Sequence, residues 1–430
     1  MLSNPTKDAC SEVNGEVRPF SAAEPLAQNV AEGDQGIVRG TAEYRRAGLA
    51  LFLLGFASFS LIYCVQPLLP SFAKSFHISP TQSSLALSLT TGLLAISILL
   101  SGAFSQAWGR RGVMFTSMAL ASLLNLVAAW VPEWHQLLIA RAAEGVILGG
   151  VPAVAMAWLA EEIHPAHLGK TMGLYVGGTA FGAMMGRVGM GMMTEFWSWQ
   201  VAMEILGVLC LLSALGFILL LPQSRNFSRK PGINLRYHLQ TWGQNLKKPG
   251  LLKIYGIGFI LTSIFVTLFN YAAFRLSAAP FNFNQTQVSM IFLAFAFGIV
   301  ASSLAGNLAD RFGKRPLLLV GFGLMFIGVL LTLPNMLGAI VAGIILVTSG
   351  FFISHAVASS SIGPLAGATR GHASSLYLLF YYMGSSLTGS AGGWLWQHGG
   401  WHAITLLTAS LAIVGLLLTL TSSKSIKLKG

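Results

Sequence analysis

The chain has 430 residues, 54% of them hydrophobic and only 9% charged, with a mean hydropathy of +0.68. Soluble domains carry about 25% charged residues, so these side chains cannot cover a globular surface and lipid must supply the remaining solvent. Cys10, Cys64 and Cys210 are odd in number and lack CxxC spacing, which excludes a disulfide framework and a zinc knuckle. No metal or other cofactor is called for.

Residues 1–46 hold seven acids against five bases and no long apolar run, which reads as a disordered tail rather than a signal peptide. A bilayer span needs about 20 apolar residues. Runs of that kind fall near 47–70, 81–104, 113–131, 136–160, 171–194 and 200–221, making a first bundle over 47–221. A polar connection, 222–250, carries Leu235, Leu239, Trp242 and Leu246 at helical spacing. That pattern fits either an amphipathic helix on the membrane surface or a solvated linker. Six further runs near 251–274, 286–308, 316–333, 336–362, 373–396 and 402–421 make a second bundle over 251–421, followed by a basic tail at 422–430. The expectation is an all-α integral membrane protein of twelve transmembrane helices.

The net charge of +12 and pI of 9.8 would suggest nucleic acid in a soluble protein. Here, with the N-terminal tail placed in the cytoplasm, 22 of the 26 Lys and Arg residues fall on cytoplasmic segments. The positive-inside bias predicts both termini cytoplasmic and accounts for the charge without nucleic acid. The halves also repeat. Leu174, Tyr175, Gly182, Gly191 and Trp199 recur as Leu376, Tyr377, Gly384, Gly393 and Trp401 at an offset of 202. The segment from Gly102 through Gly109, Arg110 and Arg111 matches that from Gly306 to Arg315 at an offset of 204. An even number of spans in each half gives two pseudo-symmetric six-helix bundles in one orientation.

The segment Gly306-Asn-Leu-Ala-Asp310-Arg311-Phe-Gly313-Lys314-Arg315 resembles the G-x-L-a-D-R-x-G-[RK]-[RK] signature of the major facilitator superfamily. The resemblance implies that this loop latches the cytoplasmic side in one conformation. In physical terms, Gly306 is expected to allow close helix approach, Asp310 to accept hydrogen bonds or pair with a base, and Gly313 to permit a tight reversal. Lys314 and Arg315 are expected to hold the loop at the anionic surface. The first-half copy has Gln106 where the family has Asp, so its latch is uncharged.

Further matches run along the chain. Arg141-Ala-Ala-Glu144-Gly145 resembles the family's R-x-x-Q-G pattern, whose Arg is associated with proton coupling, with Glu in place of Gln. Gly178, Gly182 and Gly186, followed by Arg187, resemble the glycine-rich element of the family's antiporters, with Ala183 in place of Pro and Arg187 in place of Gly. Tyr63-Cys-Val-Gln66-Pro67, Glu161-Glu-Ile-His-Pro165 and His372-Ala-Ser-Ser-Leu-Tyr377 are similar to bacterial inner-membrane permeases of the multidrug and arabinose-efflux-like branch.

Charges inside spans face a polar cavity or a partner. Arg141 and Glu144, three apart on one helical face, are close enough to pair. Glu144 either carries a coupling proton or neutralises Arg141, and Arg141 either faces the cavity or snorkels to the outer headgroups. Arg187, Glu204 and His355 are secondary candidates, His355 as a titrating group or a helix–helix hydrogen-bonding partner, and Arg275 reads as a headgroup anchor. Gln66 and Asn270, related by the offset of 204, are candidates for a substrate cavity, with Tyr63, Tyr271, Tyr381 and Tyr382 as aromatic walls.

The resemblance implies a monomeric secondary transporter of the bacterial inner membrane, moving a small molecule by alternating access and exporting it against protons. A proton symporter or a uniporter of the same fold is the alternative. No Walker A, HExxH or GxSxG pattern occurs, which counts against ATP-driven transport and a membrane enzyme, and internal symmetry counts against an oligomeric channel.

Overall fold

The structure, a computed structural model, describes residues 36–227 and 235–421, apart from the side chains at 102–104, 106, 107, 235 and 307. The expected tails at 1–35 and 422–430, and the side chain of Gln106, lie outside the described residues. Helix α1 (Ala42–Tyr63) starts where Thr41 accepts from the Tyr44 amide at 3.1 Å. It ends because Pro67 has no N–H to continue the ladder. The chain goes on as a 3-10 turn (Gln66–Leu68) and α2 (Leu69–Ser75). Helix α3 (Pro80–Trp108) opens on a capping box made by Ser79 and Gln82. Helices α4 (Arg110–Trp130), α5 (Trp134–Leu148), α6 (Pro152–Glu162), α7 (Pro165–Phe196) and α8 (Trp199–Leu220) complete the first half. The connection contains α9 (Leu235–Leu246).

The second half repeats the plan with α10 (Pro249–Ser277), α11 (Gln285–Ser289), α12 (Phe295–Phe312), α13 (Lys314–Leu331), α14 (Leu337–Ala366) and α15 (Arg370–Leu420). A break at Gly400, φ 57°, divides α15 into two spans. By length and hydropathy, nine stretches of the described residues can cross a membrane, the last of which, Leu337–Leu420, contains three spans. Helix α7 is the remaining crossing. Its 32 residues are long enough, but its glycines dilute the apolar average. The reversals α3–α4 and α12–α13 both turn on a glycine, Gly109 at φ +94° and Gly313 at φ +88°, a backbone region that side chains with a Cβ rarely adopt.

Helix packing relies on small residues, since lipid supplies little drive for apolar faces to associate. On α7, a Cβ at Gly178 would stand 2.5 Å from the Phe52 carbonyl oxygen, and one at Gly182 would stand 2.2 Å from that of Phe56. At Gly186 it would stand 2.8 Å from Ser60 Cα, so all three seat α7 on α1. In the second half Gly384 seats α15 on α10 in the same way, 2.2 Å from the Phe259 oxygen. The repeat glycines Gly191 and Gly393 instead join the bundles: Cβ atoms there would lie 2.2 Å from Ser289 Cβ and 2.5 Å from Thr81 Cα.

Polar bonds reinforce that end. Thr81 Oγ1 donates to Gln397 Oε1 at 3.0 Å, and the Gln285 amide donates to Glu195 at 2.9 Å. Gln285 Nε2 also donates to the Pro67 carbonyl. Among the described residues, no side-chain hydrogen bond joins the two bundles at the opposite end, where Arg110 and Asp310 lie.

Several expectations are corrected. Residues 36–46 are ordered: Ile37 is buried, its amide donates to Glu162 O at 2.7 Å, and α1 begins at Ala42. A Cβ at Gly306 would meet nothing within 4 Å, so no close helix approach depends on it. Asp310 is exposed and makes no hydrogen bond or ion pair among the described residues, where it was expected to accept hydrogen bonds or pair with a base. The basic residues cap helix ends instead of only facing the membrane surface. Arg111 donates to the Ile218 carbonyl and Arg315 to the Leu420 carbonyl at 2.8 Å, related positions of the two halves. Lys314 reaches Ser360 O at 3.0 Å, Arg110 pairs with Glu161 at 2.7 Å, and Arg311 is exposed. Arg275 is no headgroup anchor. It is buried, donating to the carbonyls of Thr332, Leu333 and Pro334 at the end of α13. Helix α9 docks through His238–His372 at 2.9 Å, Asn245–Thr369 at 2.9 Å and Trp242, whose ring packs on His372, while Leu239 and Leu246 stay exposed.

Candidate functional site

Two arginines are buried inside the first bundle, and their surroundings differ. Arg141, on α5, is fully buried and does not snorkel. Its Nη2 donates to Leu61 O at 3.2 Å and Ile62 O at 2.9 Å, and its Nε donates to Ala86 O on α3 at 3.3 Å. The carbonyls of Leu61 and Ile62 belong to the last turn of α1, where Pro67 ends the helix and leaves acceptors unmatched. Arg141 is therefore the C-terminal cap of α1. Glu144, also fully buried, accepts from Arg141 Nη1 at 2.5 Å, while its Oε1 has no partner. Gly145 lets α5 approach α3 closely enough for this, since a Cβ there would stand 2.2 Å from Thr90 O.

Arg187, on α7, is 1% exposed and faces the other bundle. Its Nε donates to Gln66 Oε1 at 2.6 Å, and Gln66 Nε2 donates to Asn270 Oδ1 at 2.7 Å. Gln66 and Asn270, the pair related by the repeat, thus meet across the bundle interface. The guanidinium carbon lies 4.0 Å from the centroid of the Tyr63 ring, 5.2 Å from that of Phe292 and 4.9 Å from that of Phe295. Arg187 Nη1 bonds to the Ala183 carbonyl of its own helix. Among the described residues no carboxylate lies within ion-pair distance of it. Burying an ion costs several kcal/mol even after relaxation, and a desolvated cation–π contact returns about 2 kcal/mol. The charge is only partly offset.

Unpartnered polar atoms lie nearby. Asn270 Nδ2 and Ser88 Oγ are buried and make no hydrogen bond. Both lie beside Gly389: a Cβ there would be in ordinary contact at 3.4 Å from Asn270 Nδ2, 3.5 Å from Val266 Cγ1 and 3.7 Å from Ser88 Oγ. Ser386 Oγ donates to Ser88 O across the interface at 2.7 Å.

The other predicted residues divide between this interface and the packing. Tyr271 donates to Gly389 O at 2.7 Å and ties α10 to α15. Tyr381 and Tyr382 make an edge-to-face pair at 5.1 Å. His355 bonds Tyr377 at 2.9 Å and stacks on Phe351, joining α14 to α15. Glu204 is half-buried on α8 and has no part in either arginine site. Residues that sequence reasoning passed over are Phe292, Phe295, Ser88 and Gly389. In an apolar span a phenylalanine facing a charge has the same sequence signature as one facing lipid.

Two six-helix bundles with a polar network at their interface fit the fold of a membrane transporter of a small molecule. The sequence profile of the Major Facilitator Superfamily matches residues 51–279 and 276–428. The chain belongs to that superfamily and is a transporter rather than an enzyme. It is 42% identical over 402 residues to the Inner membrane transport protein YnfM of Escherichia coli, covering 92% of this chain and 95% of that one. It is 40% identical over 398 residues to the Uncharacterized MFS-type transporter YybF of Bacillus subtilis, covering 91% and 97%. Among solved structures it resembles a bacterial homolog of the human lysosomal transporter Spinster, in an inward-facing and unoccupied conformation. The TM-score is 0.69 at 15% identity, covering 90% of this chain and 98% of that one. It also resembles the human organic anion transporter MFSD10 (TETRAN), with a TM-score of 0.66 at 17% identity, covering 87% and 99%. At such identities the likeness is one of fold.

Proposed function

We propose that the protein is a proton-driven antiporter of the bacterial inner membrane, exporting a small molecule by alternating access as a monomer with both termini cytoplasmic. Under the positive-inside topology the end at which Thr81, Glu195, Gln285 and Gln397 bond the bundles together is periplasmic, which supports loading from the cytoplasm. The observation that carries the coupling is Glu144, a fully buried acid with one oxygen unpartnered, paired to the arginine that caps α1. Four residues beyond Ile62 that same strand of chain presents Gln66 to Arg187. A proton on Glu144 releases Arg141 from its counter-charge, and the end of α1 with Gln66 is the element that responds. Burial and the adjacent guanidinium act on Glu144 in opposite senses, and their balance changes as the interface opens to water.

The test is transport in proteoliposomes under an imposed pH gradient. Glu144→Gln is expected to keep substrate binding and to lose the acceleration that the gradient gives. Unchanged gradient-driven transport by this variant would remove Glu144 from the coupling and leave it the structural counter-charge of Arg141.

A further inference from the structure

We infer that the molecule this transporter carries is an organic anion, whose carboxylate or similar oxyanion pairs with Arg187 while its apolar body rests on the surrounding rings. The inference rests on reading the bundle interface as the substrate path. Four arginines are buried in the described residues: Arg110, Arg141, Arg187 and Arg275. Three are accounted for. Arg110 has Glu161, Arg141 has Glu144, and Arg275 has the carbonyls that end α13. Arg187 has one amide oxygen, one carbonyl of its own helix and three aromatic rings, and no anion. Its Nη2 makes no hydrogen bond among the described residues.

The neighbouring polar atoms point the same way. Asn270 Nδ2 is an amide donor with no acceptor, and Ser88 Oγ is also unpartnered; both lie beside Gly389, and the other side-chain atom of that same Asn270 amide is linked through Gln66 to Arg187. An anion bridging Arg187 and Asn270 would draw on both bundles at once, because Arg187 belongs to the first and Asn270 to the second. Tyr63 on one side, with Phe292 and Phe295 on the other, offers apolar surface around the charge. A cationic substrate would meet an uncompensated positive charge in a low-dielectric setting, which opposes entry.

The test measures binding, with no gradient, so its failure and that of proton coupling at Glu144 are separable. The full-length protein in detergent is melted with benzoate and hexanoate, each beside its own neutral amide, and with tetraphenylphosphonium. A carboxylate is expected to raise the melting temperature by several degrees, with an affinity at least about tenfold above that of its amide. The shift should vanish in Arg187→Gln and weaken in Arg187→Lys, which keeps the charge but loses the planar fork. Should Arg187→Gln be recovered poorly, the carboxylate-to-amide ratio in the wild type decides alone. Equal stabilisation by amide and carboxylate, stabilisation by the phosphonium cation alone, no shift with any probe, or a carboxylate shift that persists in Arg187→Gln would each overturn the inference.

Discussion

Arg141 and Arg187 lie in the same bundle, and both are buried to within 1% of complete. One is built into the fold and the other is left waiting at an interface. Arg141 has an acid three residues away on its own helix and the last-turn carbonyls that the end of α1 leaves without helical partners. Every part of its compensation comes from within one bundle. Arg187 draws on Gln66 from its own bundle and on Phe292 and Phe295 from the other. Part of its surroundings therefore belongs to the other bundle. A charge offset locally stabilises one bundle, whereas a charge only partly offset at the interface depends on both.

Three experiments press on that difference. The largest expected effect is at Arg141. Arg141→Gln strips Glu144 of its partner and uncaps α1, which should cost about 3–5 kcal/mol and leave little monodisperse protein on size-exclusion chromatography. Arg187→Gln removes an uncompensated ion and should melt at or above the wild-type temperature. Equal losses in the two variants would mean that compensation is not what separates them.

Smaller effects are expected at the glycines that seat the two helices. Gly145 brings α5 onto α3 beside Arg141, and Gly182 brings α7 onto α1 one helical turn from Gly186 and Arg187. Alanine at either should cost about 1–3 kcal/mol by overpacking backbone against backbone. Gly306→Ala, with nothing within 4 Å, should stay within about 0.5 kcal/mol of wild type. A melting-temperature series of the three variants checks the ranking.

The smallest effect concerns the surface counterparts of these charges. Arg111 and Arg315 cap carbonyls of α8 and α15 at related positions of the two halves. Their alanine variants should each lose about 1 kcal/mol, and the two losses should be similar. A large asymmetry between them would show that the repeat no longer equates the two caps.

Much of this was legible beforehand for physical reasons that can be named. The bilayer imposes a length on each span, and that length is written in the hydropathy from Ala47 onwards. The repeat at an offset of 204 brought Gln66 and Asn270 forward as a pair, and they are bonded to each other. The spacing of Arg141 and Glu144 implied their contact, because positions three apart share a helix face. Other features left no such trace. Lys314 and Arg315 read as membrane-surface charges, since a cap on a distant helix end is a contact between residues far apart in sequence. Arg187 ranked as a secondary candidate because its consequence depends on what stands opposite. The hydrophobic spacing of α9 marked Leu239 and Leu246, which stay exposed, while its docking is made by Trp242 of that stripe together with His238, Thr241 and Asn245.

By itself the sequence determined the solvent, the number of crossings, the twofold repeat and the family, because each follows from local composition or from patterns repeated along the chain. Only the tertiary structure decided which buried charge has a partner and which residues bond the two bundles together. Those properties belong to pairs of side chains brought together from separate helices. An arginine inside a span costs the same on paper wherever it is written, and the neighbours that offset the cost, or leave it open for a ligand, exist only once the helices have packed.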